Sequence, residues 1–336
     1  MEAGAAVGYY HCLSRVVNRE FVLKKEEKEQ LVKWMRRYEA FCGVRVITYC
    51  VMSNHFHILV EVPQRPAQGQ LPSDEELVAL ARKAQDSYGS GSLKQDLERF
   101  RERGQHQAAE ALKERFFSRM WDVSWFMRLL KQRFTQWYNK RHERTGTLWE
   151  DRFKSVLVEG AGQALATMAL YIDLNPVRAG LVQDPQEYRW CGYAEALGGR
   201  KEARSGLAVV VEAVNGRAVV AQRVVAEYRM LLFARGDQEE EGVQEDGRPR
   251  RLGVSAKRVQ EVLAKKGRLS PWESVRCRVR YLNDGVVLGG REFVERYFRE
   301  NRERFGKKRA DGARAMRYVS LEGLFTVRDL QKAVIG

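Results

Sequence analysis

Two imidazoles stand one residue apart in the run SNHFHILVEV, at His55 and His57. On a strand, successive side chains alternate between faces, so both rings project from one side and Phe56 from the other, and two nitrogen ligands can converge on a single ion. The chain has only five histidines (His11, His55, His57, His106, His142), so a pair on an otherwise apolar strand is less readily a compositional accident. Paired histidines on a half-exposed strand are also common as solvated or core residues, and the tripeptide leaves both readings open. His106 and His142 fall in charged helical stretches and read as surface residues. A phenol is the other group with nucleophilic chemistry to offer. Thirteen tyrosines compete for that role, and Tyr138, set among basic residues in QWYNKRH, is one candidate that composition alone puts forward.

The elements that must position these groups follow from periodicity. Tyr9 to Val17 reads as a strand, and Lys24 to Phe41 carries Leu31, Trp34, Met35 and Tyr38 at helical spacing. Val44 to Met52 and His55 to Val62 are rich in β-branched and aromatic residues, and Ser53-Asn54 between them predicts a hairpin. From Gln64 to Met120 the composition becomes polar and charged, with helix-forming runs at Glu75 to Gln85 and Leu93 to Phe117, which predicts a helical insertion beside the core. Val123 to Lys140 shows a second helical stripe, Arg152 to Glu159 reads as a strand, and Gln163 to Asn175 as a helix that Pro176 stops. Strands alternating with helices predict an α+β catalytic half, residues 1–200.

Composition bounds the partners. The sequence has 59 Lys and Arg against 44 Asp and Glu, a net charge of +15 that favours nucleic acid. Residues 247–336 hold 23 of the basic and 10 of the acidic residues, so nearly all of the surplus sits in the tail. The acidic stretch DQEEEGVQED closes a connecting segment, residues 201–246, and reads as a linker; the tail beyond it reads as a basic, mainly helical module punctuated by Asn283-Asp284-Gly285 and Gly289-Gly290. Five widely spaced cysteines without a CxxC pair suit reduced thiols, and no run of eighteen apolar residues or secretory leader is evident, so a cytoplasmic protein without a membrane association is expected.

Five blocks, YHCLSRVVNREF, YCVMSNHFHILVEV, RTGTLWEDRFKSVLVE, YIDLNPVRAGLV and EYRWCGY, together resemble the REP-associated tyrosine transposases of the HUH endonuclease superfamily, over roughly residues 8 to 200. The resemblance implies an RRM-like antiparallel sheet flanked by helices, with the histidine pair on a central strand and the nucleophile on a helix packed across it. It implies His55 and His57 as metal ligands, Mg²⁺ or Mn²⁺ as the ion, and Tyr171 as nucleophile through the YIxxNP block. It further implies a third-ligand role for Asn175, one helical turn beyond Tyr171; the alternative is a simple helix terminator before Pro176. LNDGVVLGGREFVE is similar to the tail of longer members of the same family.

Such a centre would cleave and rejoin DNA. A divalent ion neutralises a non-bridging phosphate oxygen, and the phenol forms a phosphotyrosine that stores the bond energy for rejoining, consistent with the lack of a GxxxxGK[ST] loop. Trp149, Arg152, Lys154 and Arg178 combine aromatic and cationic groups suited to single-stranded or hairpin DNA, with a core role open for Trp149 and solvation for the cations. A replication or mobilisation nickase of the same superfamily and a non-catalytic DNA-binding regulator are the alternatives. The single tyrosine between Gln163 and Asn175 favours a transposase over the paired-tyrosine nickases, and the joint presence of phenol and imidazoles favours an enzyme. Monomer and homodimer are both compatible with the sequence.

Overall fold

The computed structural model describes residues 7–84, 90–233, 281–315 and 323–328. Its strands are β1 (Val7–Arg15), β2 (Arg45–Val51), β3 (His55–Pro63), β4 (Lys154–Val158), β5 (Val287–Gly289), β6 (Arg314–Ala315) and β7 (Phe325–Val327), in the sheet order β2-β3-β1-β4-β5-β7-β6. The described helices are α1 (Lys25–Cys42), α2 (Asp74–Ala84), α3 (Ser90–Glu102), α4 (His106–Phe117), α5 (Val123–Arg141), α6 (Gln163–Asp173), α7 (Asn175–Arg178), α8 (Gly192–Leu197), α9 (Lys201–Asn215), α10 (Val224–Phe233), α11 (Tyr281–Asp284) and α12 (Arg291–Glu300). With α2 to α4 set aside as the insertion, the first half runs β1-α1-β2-β3-α5-β4, and the four strands pair antiparallel in the order expected of an RRM-like sheet.

Strand alternation sorts the core into two layers. Phe56, Ile58 and Val60 of β3 and Cys12 of β1 face α1 and α5, packing against Leu31, Met35, Phe126, Leu130 and Phe134. Leu59 on the opposite face packs with Ile47 and Cys50 against Leu165, Met168, Tyr171 and Ile172 of α6, and with Leu207 and Tyr228 of α9 and α10. α1 is held at its start by Glu27, whose carboxylate accepts from the backbone N–H of Lys24, and ends at Gly43 in the left-handed region (φ 62°), where a Cβ would strike the Trp121 indole. α9 lies so close to β2 that a Cβ on Gly206 would come within 2.4 Å of the Ile47 carbonyl oxygen.

Two local features depart from the sequence reading. Pro176 does not end the helical path: α6 stops at Asp173, and Pro176 sits in the first turn of α7, where its missing N–H costs nothing. In the tail, β5 runs parallel to β4 and continues the same sheet through β7 and β6, with Leu157 and Glu159 donating to the carbonyls of Val286 and Leu288. The described tail thus combines helix (α11, α12) with a short extension of the sheet; strands of two or three residues are too short for a periodic signal. The linker DQEEEGVQED and the first part of the basic tail lie outside the described residues. Cys12, Cys42, Cys50 and Cys191 are buried free thiols. No helix among the described residues is long and apolar enough to cross a membrane.

Candidate active site

β3 brings His55 and His57 to the face of the sheet that α6 covers, because its alternation commits Phe56 and Ile58 to the α1 and α5 layer. Their ring centroids are 5.1 Å apart and nearly perpendicular. α6 is buried on most of its surface and sets Tyr171 beside His57 and His11, with the phenol ring centroid 6.0 Å from that of His57 and 6.3 Å from that of His11. His57 and Tyr171 are each 2% exposed. Tyr138 lies in the opposite layer on α5, where its ring stacks on His142 at 4.2 Å.

The hydrogen bonds fix the tautomers. His11 Nδ1 lies 2.8 Å from the Leu282 carbonyl oxygen, which can only accept, so the proton is on Nδ1. His11 Nε2 is therefore an acceptor, and the nitrogen 2.8 Å from it, His57 Nδ1, must donate. This leaves the lone pair of His57 on Nε2. His55 Nδ1 is likewise 2.6 Å from the side-chain oxygen of Asn54, which puts its lone pair on Nε2. Imidazoles whose Nδ1–H is anchored and whose Nε2 is basic are the form in which histidine binds metal. Burial lowers His57 well below the usual imidazole range and His11 to about 4, with the neighbouring Arg178 acting in the same direction, so both rings are neutral near pH 7.

Asn175 opens α7 and donates through its amide nitrogen to the carbonyls of Tyr171 and Ile172, as a helix-terminating residue does. An amide binds a hard cation through oxygen, so these bonds do not consume the ligating atom. Among the described residues no group of three His, Cys, Asp or Glu is placed to hold a metal ion.

Arg178 packs its guanidinium over the Tyr171 ring, 4.0 Å from the centroid, and donates to the Tyr171 carbonyl. Lys154 is exposed and lies in one cross-strand row with Leu13 and His57, on the same sheet face, where its ammonium pairs with Asp284 at 3.0 Å. Arg152 is exposed in the turn before β4. Trp149 stands apart from these: it is 6% exposed, its ring is enclosed by Phe56 and Phe134, and its indole N–H donates to the Lys131 carbonyl. Core aromatics pack against its ring, the arrangement expected of the packing alternative.

Three residues that sequence reasoning passed over belong to this neighbourhood. His11 contacts His57, and its rarity among so few histidines was the only available signal. Asn283, read as a turn residue, donates to the Tyr171 hydroxyl at 2.5 Å. Asp173, two residues beyond the phenol, is fully buried, accepts from Thr48, Tyr228 and the backbone of Tyr193, and is pushed up to about 6 by burial.

Residues 6–68 match the sequence model of the family described as "Transposase IS200 like". This stretch is similar to the IS200-like transposases. It runs from β1 to just beyond β3 and so contains His11, His55 and His57, whereas Tyr171 and the tail lie outside the match. The resemblance to transposases read from the sequence is met over this segment. A solved structure described as "Structure of the REP associates tyrosine transposase bound to a REP hairpin" is similar to this chain at 14% identity and a TM-score of 0.35, with 57% of this chain and 79% of that chain covered. No curated protein matches the chain.

Proposed function

We propose that the chain is a metal-dependent single-tyrosine transposase that cleaves and rejoins single-stranded or hairpin DNA through a covalent phosphotyrosine. The observation that carries the reading is the placement of the Tyr171 phenol over the His55 and His57 face of the sheet. In the cleavage step a bond forms between the Tyr171 oxygen and phosphorus as the bond from phosphorus to the 3′ oxygen breaks. The phenol loses its proton, and the departing oxygen gains one to become a free 3′-hydroxyl. Attack by a second 3′-hydroxyl reverses the exchange, so no external energy source is needed.

His55 and His57 would hold a divalent cation, Mg²⁺ or Mn²⁺, through Nε2, with Asn175 as the candidate third ligand. A cation there would neutralise a non-bridging phosphate oxygen and orient the phosphorus for in-line attack. Arg178, stacked on the phenol, adds positive charge where the phosphate must approach. Lys154 and Arg152 extend that charge along the exposed rim, and the basic tail adds salt-dependent affinity for the DNA backbone.

The test is incubation of the full chain with end-labelled hairpin oligonucleotides and Mn²⁺, followed by denaturing electrophoresis. A denaturation-resistant adduct is expected from the wild type and from Tyr138→Phe, and none from Tyr171→Phe or in excess chelator. An adduct that survives Tyr171→Phe would refute the assignment of the nucleophile.

A further inference from the structure

The turn α11 belongs to the tail, more than a hundred residues beyond Tyr171, yet it touches the candidate centre at two atoms. The Leu282 carbonyl accepts from His11 and so sets, through that ring, which nitrogen of His57 carries its lone pair. The next residue, Asn283, is 9% exposed and directs its amide N–H at the Tyr171 oxygen. Asp284 anchors the turn from the other side by pairing with Lys154 of β4. The Asn283 side-chain oxygen is buried with no hydrogen-bond partner, a penalty of about 1–3 kcal/mol that folded proteins tolerate mainly where a site has work to do.

We propose that Asn283 is a functional residue of the strand-transfer centre, holding the Tyr171 oxygen in place and stabilising the negative charge that it carries as a phenolate. This rests on the reading of Tyr171 as nucleophile. An N–H donor on that oxygen matters in both directions of the exchange. It fixes the direction from which the oxygen meets phosphorus, and it stabilises the charge that builds on that oxygen as a 3′-hydroxyl displaces it. The amide keeps its own protons throughout, so the balance of the reaction is unchanged. His11, His57 and Arg178 also pack against Tyr171, and of these only Arg178 brings a permanent charge.

The experiment compares the full-length wild type with Asn283→Ala, Asn283→Asp and Tyr171→Phe in the hairpin-adduct assay, with hairpin affinity measured alongside. A charge-assisted hydrogen bond is worth about ten- to a hundredfold, so Asn283→Ala should form adduct slower by that factor. Asn283→Asp, which keeps the shape but replaces the donor by a carboxylate, should be slower still, and it carries the same comparison should the alanine variant fold poorly. Hairpin affinity should stay unchanged in both. A folded Asn283→Ala or Asn283→Asp that forms adduct at the wild-type rate would overturn the proposal. So would a slower variant whose loss is matched by weaker hairpin binding, since that is the signature of a displaced site rather than of a lost donor. If Tyr171→Phe still forms adduct, the reading of the nucleophile fails instead, and the two failures are told apart.

Discussion

Replacing His11 by Phe tests whether His57 is prepared as a ligand by its neighbour. Phenylalanine keeps the ring volume in a site where His11 is 1% exposed, so packing is largely conserved and both hydrogen bonds are deleted. The Leu282 carbonyl and the His57 Nδ1–H are then left buried without partners, at about 1–3 kcal/mol each, which predicts a loss of about 2–6 kcal/mol of folding stability. His57 also loses the acceptor that holds its proton on Nδ1. The other tautomer, with the proton on Nε2, becomes accessible and competes with a cation, and loss of such a supporting partner costs about 10- to 100-fold in metal affinity. Calorimetric titration of the full-length protein with Mn²⁺, paired with urea unfolding in chelator, reads both quantities. The reasoning is refuted if His11→Phe is destabilised yet binds Mn²⁺ within twofold of wild type while His57→Ala does not bind. If His57→Ala also binds normally, it is the metal reading that fails.

Two further predictions rest on other parts of the structure. Burial raises the folded-state pKa of Asp173 to about 6, so the folded state holds this proton where the unfolded chain has lost it, and the stability contribution present at low pH is lost as pH rises. Between about pH 4 and pH 6 the stability of wild type relative to Asp173→Asn should fall by about 3 kcal/mol, measured by urea unfolding at each pH; a flat difference would contradict the burial argument. Trp149→Phe should lower stability by about 1–3 kcal/mol because the indole fills space between Phe56 and Phe134, and leave hairpin affinity within twofold; a tenfold weaker complex with unchanged stability would make Trp149 a stacking platform after all.

Much of the fold was legible because its signals are local. The alternation of His55 to Val62 located β3 to within a residue and placed Phe56 and Ile58 in one layer with the imidazoles in the other. The helical stripes of α1 and α5 and the polar break before the insertion were read from spacing in the same way. What stayed hidden depends on partners remote in sequence. His11 is defined by an acceptor 271 residues away, and nothing near YHC signals it. Asn283 carried the signature of a turn, which it fulfils, and only packing shows the atom it faces. Asp173 sits in a run that reads as an amphipathic helix, and its donors arrive from β2, α8 and α10. Trp149 shows the converse limit, since an aromatic among cations has the same composition in a nucleic-acid surface as in a core that borders one.

The parallel pairing of β4 with β5 has a consequence for how the molecule is made. The two imidazoles precede the phenol by more than a hundred residues, and the amide that meets the phenol and the strand that covers β4 follow it by more than a hundred again. Until that strand is made β4 is an open edge with unpaired backbone groups, and a nascent chain would have to keep that edge from sticking to others. The amide donor to the Tyr171 oxygen arrives with the same segment, so docking of the tail closes the sheet edge and completes the surroundings of the phenol in one step.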